Sequence, residues 1–142
     1  MHRFSLIPEV HLVLERDGKI LLLKRANTGY EDGKYSLVAG HMDGAETARE
    51  AMAREAMEEA GLIIAPEDLQ LIHIIHRKSE TERLSFFFKP LKYQGEPKNL
   101  EPDKCDELTW FSFCSMPDNT IPYIQHALNE YRHSRIYSEF GW

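Results

Sequence analysis

The stretch from Thr47 to Gly61 constrains the fold more than any other part of the chain. Thr47-Ala48-Arg49-Glu50 fits a capping box, in which the threonine hydroxyl and the glutamate carboxylate each satisfy a free backbone N–H at a helix start. Ala, Met, Glu and Arg, all good helix formers, dominate the residues that follow. Gly61 suits a left-handed C-cap. On such a helix Glu55, Glu58 and Glu59 share one face. Ala53, Ala56, Met57 and Ala60 fall roughly opposite, at about 100° per residue, as a stripe suited to packing on a sheet. The helix therefore has a core side and a strongly acidic side.

The apolar runs around it read as strands. His11-Leu12-Val13-Leu14 and Ile20-Leu21-Leu22-Leu23, with Arg16-Asp17-Gly18-Lys19 between them, predict a hairpin over Val10 to Arg25. Ala26 to Lys34 reads as a polar loop, and Tyr35 to Val38 as a short strand running into Gly40. Leu69 to His76 and Leu84 to Phe88 read as strands joined by the charged segment Arg77 to Arg83. Tyr93 to Asp106, rich in Pro, Gly and charge, predicts a loop, and Glu107 to Phe113 returns to strand character. A second helix starts near Pro122, which suits a first helical turn, and continues to about Arg135. The polar tail Tyr131 to Trp142 is compatible with packing on the body or on a neighbour. With no repeat or linker dividing them, the 142 residues predict one domain, 1–142, of α/β class with helices covering a sheet.

Composition narrows the partners. Lys and Arg total 17 against 23 Asp and Glu, a net charge of -6, which speaks against a nucleic-acid polymer. A small phosphorylated ligand stays compatible, because a divalent cation can supply positive charge locally. No stretch approaches the roughly 20 apolar residues that span a bilayer. The first residues lack the continuous apolar core of a secretory signal. Cys105 and Cys114 are too few for a disulfide framework and are expected to be reduced thiols, with a cytoplasmic location.

An acidic helix face has two readings. On an exposed helix, like charges cost only about 0.2–0.5 kcal/mol per pair, so the face can simply be solvated. Alternatively it holds a hard cation such as Mg²⁺, which takes a few carboxylates together with substrate phosphates. The wider pattern favours the second. Gly40, Glu46, Arg54, Glu55, Glu58, Glu59 and Gly61 stand at the spacing of the Nudix box, a chance match on the order of one in a million. The segment Gly40 to Leu62 resembles the Nudix hydrolase family, of MutT-like type. Ala56 departs from the larger aliphatic residue usual there, a change of packing rather than chemistry.

The resemblance implies an α/β/α sandwich around a central mixed sheet. It implies metal ligation by Glu55, Glu58 and Glu59, the first and last ahead of Glu58, with the Ala39 or Gly40 carbonyl as a further ligand. One of these glutamates would serve as general base. Arg54 would hold the catalytic carboxylates in place, with Glu46 in support. Arg25 and His41 are substrate-binding candidates, each balanced against a structural role. Glu101, Asp103 or Glu107 would supply an additional loop carboxylate. Tyr35, Phe86, Phe88 and Trp110 are candidates for stacking on a base, though core packing accounts for each more readily. The implied activity is Mg²⁺-dependent hydrolysis, with Mn²⁺ as a substitute, of a phosphoanhydride in a nucleoside diphosphate-linked substrate. A (deoxy)nucleoside triphosphate going to monophosphate and pyrophosphate fits best. ADP-ribose, dinucleoside polyphosphates and sugar nucleotides are the alternatives within the family, and a non-catalytic nucleotide sensor the alternative outside enzymes. A homodimer is compatible with the resemblance.

Overall fold

The computed structural model describes residues 2–142. Nine strands and two helices follow in the order β1 (Ile7–Leu12), β2 (Glu15–Arg16), β3 (Lys19–Arg25), β4 (Tyr35–Ser36), β5 (Val38–His41), α1 (Ala48–Ala60), β6 (Leu69–Lys78), β7 (Glu82–Pro90), β8 (Cys105–Ser112), α2 (Pro122–Arg132) and β9 (Tyr137–Phe140). Five strands form a mixed sheet in the order β5-β1-β7-β6-β9, with β1 parallel to β7 and β6 parallel to β9. A smaller antiparallel sheet joins β2, β3, β4 and β8.

The mixed sheet is covered on both faces, because β1 alternates two kinds of apolar contact. Val10, Leu12 and Leu14 pack with Met52, Ala56 and Ala60 of α1 in one core cluster. Val13 packs with Phe87, Ile75 and Tyr123, Ile124 and Leu128 of α2 in a second. That is the α/β/α sandwich expected from the sequence.

Helix α1 is bounded as the sequence predicts. The Thr47 hydroxyl accepts from the Glu50 N–H, the Glu50 carboxylate accepts from the Thr47 N–H, and Gly61 sits at φ 69° as the left-handed cap. Within its apolar stripe Ala56 and Ala60 are buried, but Met57 is exposed and Met52 takes the core position instead.

Two expectations need correction. The hairpin is short, Glu15 pairing with Ile20 and Arg16 with Lys19 over a two-residue Asp17-Gly18 turn with both φ values positive. Of the first apolar run only Leu14 meets the second, its carbonyl accepting the Leu21 N–H at 3.0 Å; the rest enters the mixed sheet between β5 and β7. The charged segment Arg77 to Arg83, expected to join the two strands, is itself strand at both ends. Arg77 and Arg83 are paired strand residues, and the turn between them is closed by the Ser79 N–H donating to the Thr81 carbonyl. The tail packs on the body, with β9 beside β6 and the Trp142 indole donating to the His76 carbonyl. Among the described residues no helix is long and apolar enough to cross a membrane.

Candidate active site

The site begins where α1 meets the edge strand β5. Gly40 lies directly against the Glu55 carboxylate, and a Cβ at that position would overlap it. Glu59, one turn further along, accepts the Ala39 N–H at 3.2 Å. Burial pushes the Glu59 carboxyl up to about 8; the Ala39 N–H and Arg25 oppose the rise, while Glu55 and Glu101 add to it. Burial also raises Glu55, against the opposing pull of Arg54. Glu58 stands further out, with its side chain 56% exposed, at the rim.

Arg54 stands behind the carboxylates. Its Nε and Nη2 donate to the two oxygens of Glu46 at 3.1 and 3.0 Å, and its Nη1 donates to Glu55 at 2.8 Å. Glu58 and Asp43 lie within ion-pair reach at 3.5 and 3.3 Å. The fork geometry of arginine suits this, since a bidentate grip on Glu46 fixes the plane from which Nη1 reaches Glu55. Glu46 is itself held by the Asp43 N–H.

These residues suit a hard divalent cation. The donors are all oxygen, and a buried carboxyl kept neutral among other carboxylates is what a cation would relieve. Among the described residues, no three His, Cys, Asp or Glu side chains converge into a ready-made cage. Mg²⁺ does not need one, because it retains waters and binds together with substrate phosphates.

Gly40, His41, Glu55, Glu58, Glu59 and Arg25 all line one cavity of about 720 Å³. Arg25 donates from Nε to the Tyr30 carbonyl and from Nη2 to the Thr28 hydroxyl, so its loop shapes the cavity wall. His41 is exposed and its Nε2 lies 3.2 Å from Arg83. Of the three loop carboxylates only Glu101 reaches the cavity, while Glu107 accepts the Tyr35 hydroxyl. Tyr35, Phe86, Phe88 and Trp110 do not line it. Tyr35 and Phe88 are core, Phe86 packs against core, and Arg16 covers the face of Trp110 at 4.7 Å. The aromatics at the cavity are Tyr30 and Tyr123.

The largest feature missed from sequence is a second charged cluster on the wall of the same cavity. Glu9, 6% exposed, accepts from Arg77 at 2.6 Å, from the Ser85 hydroxyl at 2.7 Å and from Arg83 at 3.0 Å. Burial pushes the Glu9 carboxyl up, but attraction to His11 and Arg77 and the Ser85 hydrogen bond hold it at about 2. His11 attracts only when protonated, so at neutral pH Arg77 and Ser85 do this. Burial lowers His11 to about 4. Its Nδ1 lies against the Phe86 carbonyl and must carry the proton, so Nε2 accepts the Tyr123 hydroxyl at 2.9 Å. The one sequence signal was a glutamate and a histidine alternating within an apolar strand.

A family model described as NUDIX domain matches residues 8–131. The chain belongs to the NUDIX hydrolase family. Members of this family generally act with a divalent cation. Among solved structures, the NUDIX protein here is similar to a MutT NUDIX hydrolase from Burkholderia pseudomallei, with a TM-score of 0.80 and 26% identity over 89% of this chain and 98% of that one. Among curated proteins it is 42% identical over 64 residues to an ADP-ribose pyrophosphatase of Methanocaldococcus jannaschii, 44% of this chain and 37% of that protein. It is 37% identical over 58 residues to a CTP pyrophosphohydrolase of Escherichia coli, 41% of this chain and 43% of that protein. The chain spans less than half the length of the curated relatives it matches.

Proposed function

We propose that this chain hydrolyses a phosphoanhydride bond in a nucleoside diphosphate-linked small molecule, namely a (deoxy)nucleoside triphosphate, to the monophosphate and pyrophosphate. The observation that carries the reading is the set Glu55, Glu58 and Glu59, oriented by Arg54 and packed on Gly40, opening into a cavity large enough for a nucleotide. Glu55 and Glu59 would hold Mg²⁺, or Mn²⁺ in its place, with Glu58 and the Ala39 or Gly40 carbonyl completing the donors. A cation so held neutralises phosphate oxygens and activates water.

The chain's own groups do the rest. One of the glutamates takes the proton of the attacking water, an oxygen–phosphorus bond forms, and the bridging oxygen departs with the pyrophosphate. Arg25 and Lys104, both on the cavity wall, place positive charge where the phosphates would lie. Without a cation the acidic face repels a triphosphate, so the reaction requires metal. The net charge of -6 agrees with a small substrate in place of a nucleic-acid polymer.

A second reading, ADP-ribose hydrolysis, is favoured by the 42% identical stretch shared with a protein of that activity's name. Products are to be identified after incubation with Mg²⁺ and a panel of canonical and oxidised nucleoside triphosphates, ADP-ribose and diadenosine polyphosphates. Release of monophosphate and pyrophosphate from a triphosphate supports the first reading. Cleavage confined to ADP-ribose moves the assignment to the second. Nucleotide binding without cleavage of any compound makes the chain a sensor.

A further inference from the structure

Two charged clusters of opposite balance line the cavity, and only the acidic one is used by the proposed hydrolysis. In the second cluster Arg77 is 5% exposed yet incompletely satisfied. Its Nε donates to Ser85 and its Nη2 to Glu9, while among the described residues Nη1 has no acceptor. The guanidinium is fixed in place, lying 3.7 Å over the Tyr123 ring, whose hydroxyl is tied to His11. Nη1 is itself reachable by solvent, so water or a ligand can meet its two N–H groups. Both N–H groups of Nη1 belong to a residue that lines the cavity.

Glu9 supplies the complement. Its Oε1 accepts two hydrogen bonds, from Arg77 and Ser85, and is saturated. Its Oε2 accepts one, from Arg83, and keeps a lone pair. Glu9 also lines the cavity, so the pair offers one acceptor beside a fork of donors. Two arginines against one carboxylate leave an excess positive charge, which favours electron-rich carbonyl and ring-nitrogen acceptors.

We propose that the Glu9–Arg77 pair reads the edge of a cytosine base, making cytidine nucleotides the preferred substrates. The proposal rests on the nucleotide-hydrolase reading of the same cavity. Cytosine presents a donor, N4–H, next to two acceptors, N3 and O2, and each meets its complement here. Uracil reverses the pattern at O4 and N3–H. Adenine offers a donor and one acceptor but no counterpart of O2. Guanine sets one acceptor, O6, beside two donors, N1–H and N2–H, so it leaves one arginine N–H unmet and one of its own donors without an acceptor. Tyr30, on the same cavity wall with Arg25 5.3 Å over its ring, offers an aromatic face for the base.

The test is equilibrium binding of CMP and UMP to the intact protein without metal, with kcat/KM for CTP, UTP, GTP and ATP measured in parallel with Mg²⁺. Wild type is expected to bind CMP at least about tenfold more tightly than UMP, and to show the same order in kcat/KM. Arg77→Lys keeps a cation for Glu9 but presents no planar fork. It is expected to bring the CMP/UMP ratio near parity and to act through KM rather than kcat. If that variant does not fold, the wild-type ratio decides alone. Equal binding of CMP and UMP, or a preference for a purine, overturns the proposal. The two readings fail separately. Hydrolysis with equal kcat/KM across bases removes cytosine recognition and leaves the hydrolase. Selective CMP binding with no hydrolysis does the reverse.

Discussion

At Gly40 the absence of one carbon makes room for the site. The Glu55 carboxylate occupies the volume a Cβ would need, and that carboxylate is the far end of a flexible side chain. Gly40→Ala should therefore displace Glu55 without unfolding the protein. Activity is expected to fall by about 10²-fold or more, since a misplacement near 1 Å is enough for that. The melting temperature should move little, and kinetics set beside a thermal melt separates the two effects. Arg54 acts at one remove, holding Glu46 and Glu55 together. Arg54→Met should weaken the apparent affinity for activating Mg²⁺ by about 10–100-fold, read from the metal dependence of the rate. These residues were legible in the sequence because the pattern is local: all seven fall within 22 positions, from strand β5 through one loop to the end of one helix. Glu9 and Arg77 were not. They meet across 68 positions, and nothing local says that a strand glutamate will find a buried arginine.

Elements were legible wherever termini carry their own chemistry. Helix α1 begins and ends at the residues whose side chains and backbone close it, and Thr47→Ala removes one half of that start. The loss should be about 1 kcal/mol, a melting shift of about 2–4 °C for a chain of this size, measurable by calorimetry. What sequence periodicity cannot report is which sheet a strand joins. The run Val10 to Leu14 is apolar at alternate positions for two different helices, so it reads like a hairpin arm although it sits between β5 and β7. The ends of the charged segment Arg77 to Arg83 read as connection rather than strand for a related reason. Charge normally marks a turn, but Glu9 of β1 pairs with both arginines, Arg83 on the neighbouring β7 and Arg77 on β6 beyond it, so they stay in register.

The whole molecule places its two helices on opposite faces of the mixed sheet and its cavity around the β5 edge. The buried His11 links those layers, stacking on Phe87 at 4.4 Å and accepting from Tyr123 of α2. Its pKa is lowered in the folded protein to about 4 from an ordinary 6.5, so between these values the unfolded chain binds the proton more strongly. The contribution of His11 is present above pH 6.5 and is lost as pH falls towards 4. Other groups titrate in the same range, so the readout is a difference. Relative to His11→Gln, wild type should lose on the order of 3 kcal/mol between pH 6.5 and 4 in denaturant melts. A constant difference across that window would show that the ring is not held neutral by burial.

The central claim is that the glutamate face of α1 drives metal-dependent cleavage of a nucleotide anhydride. Its most direct test is pyrophosphate release from a nucleoside triphosphate by wild type and by Glu59→Gln, each with Mg²⁺ and with excess chelator. Release is expected only from wild type with Mg²⁺, at least about 10²-fold above the variant, while both proteins melt at similar temperatures. Equal release by the variant, or release undiminished by chelation, would contradict it.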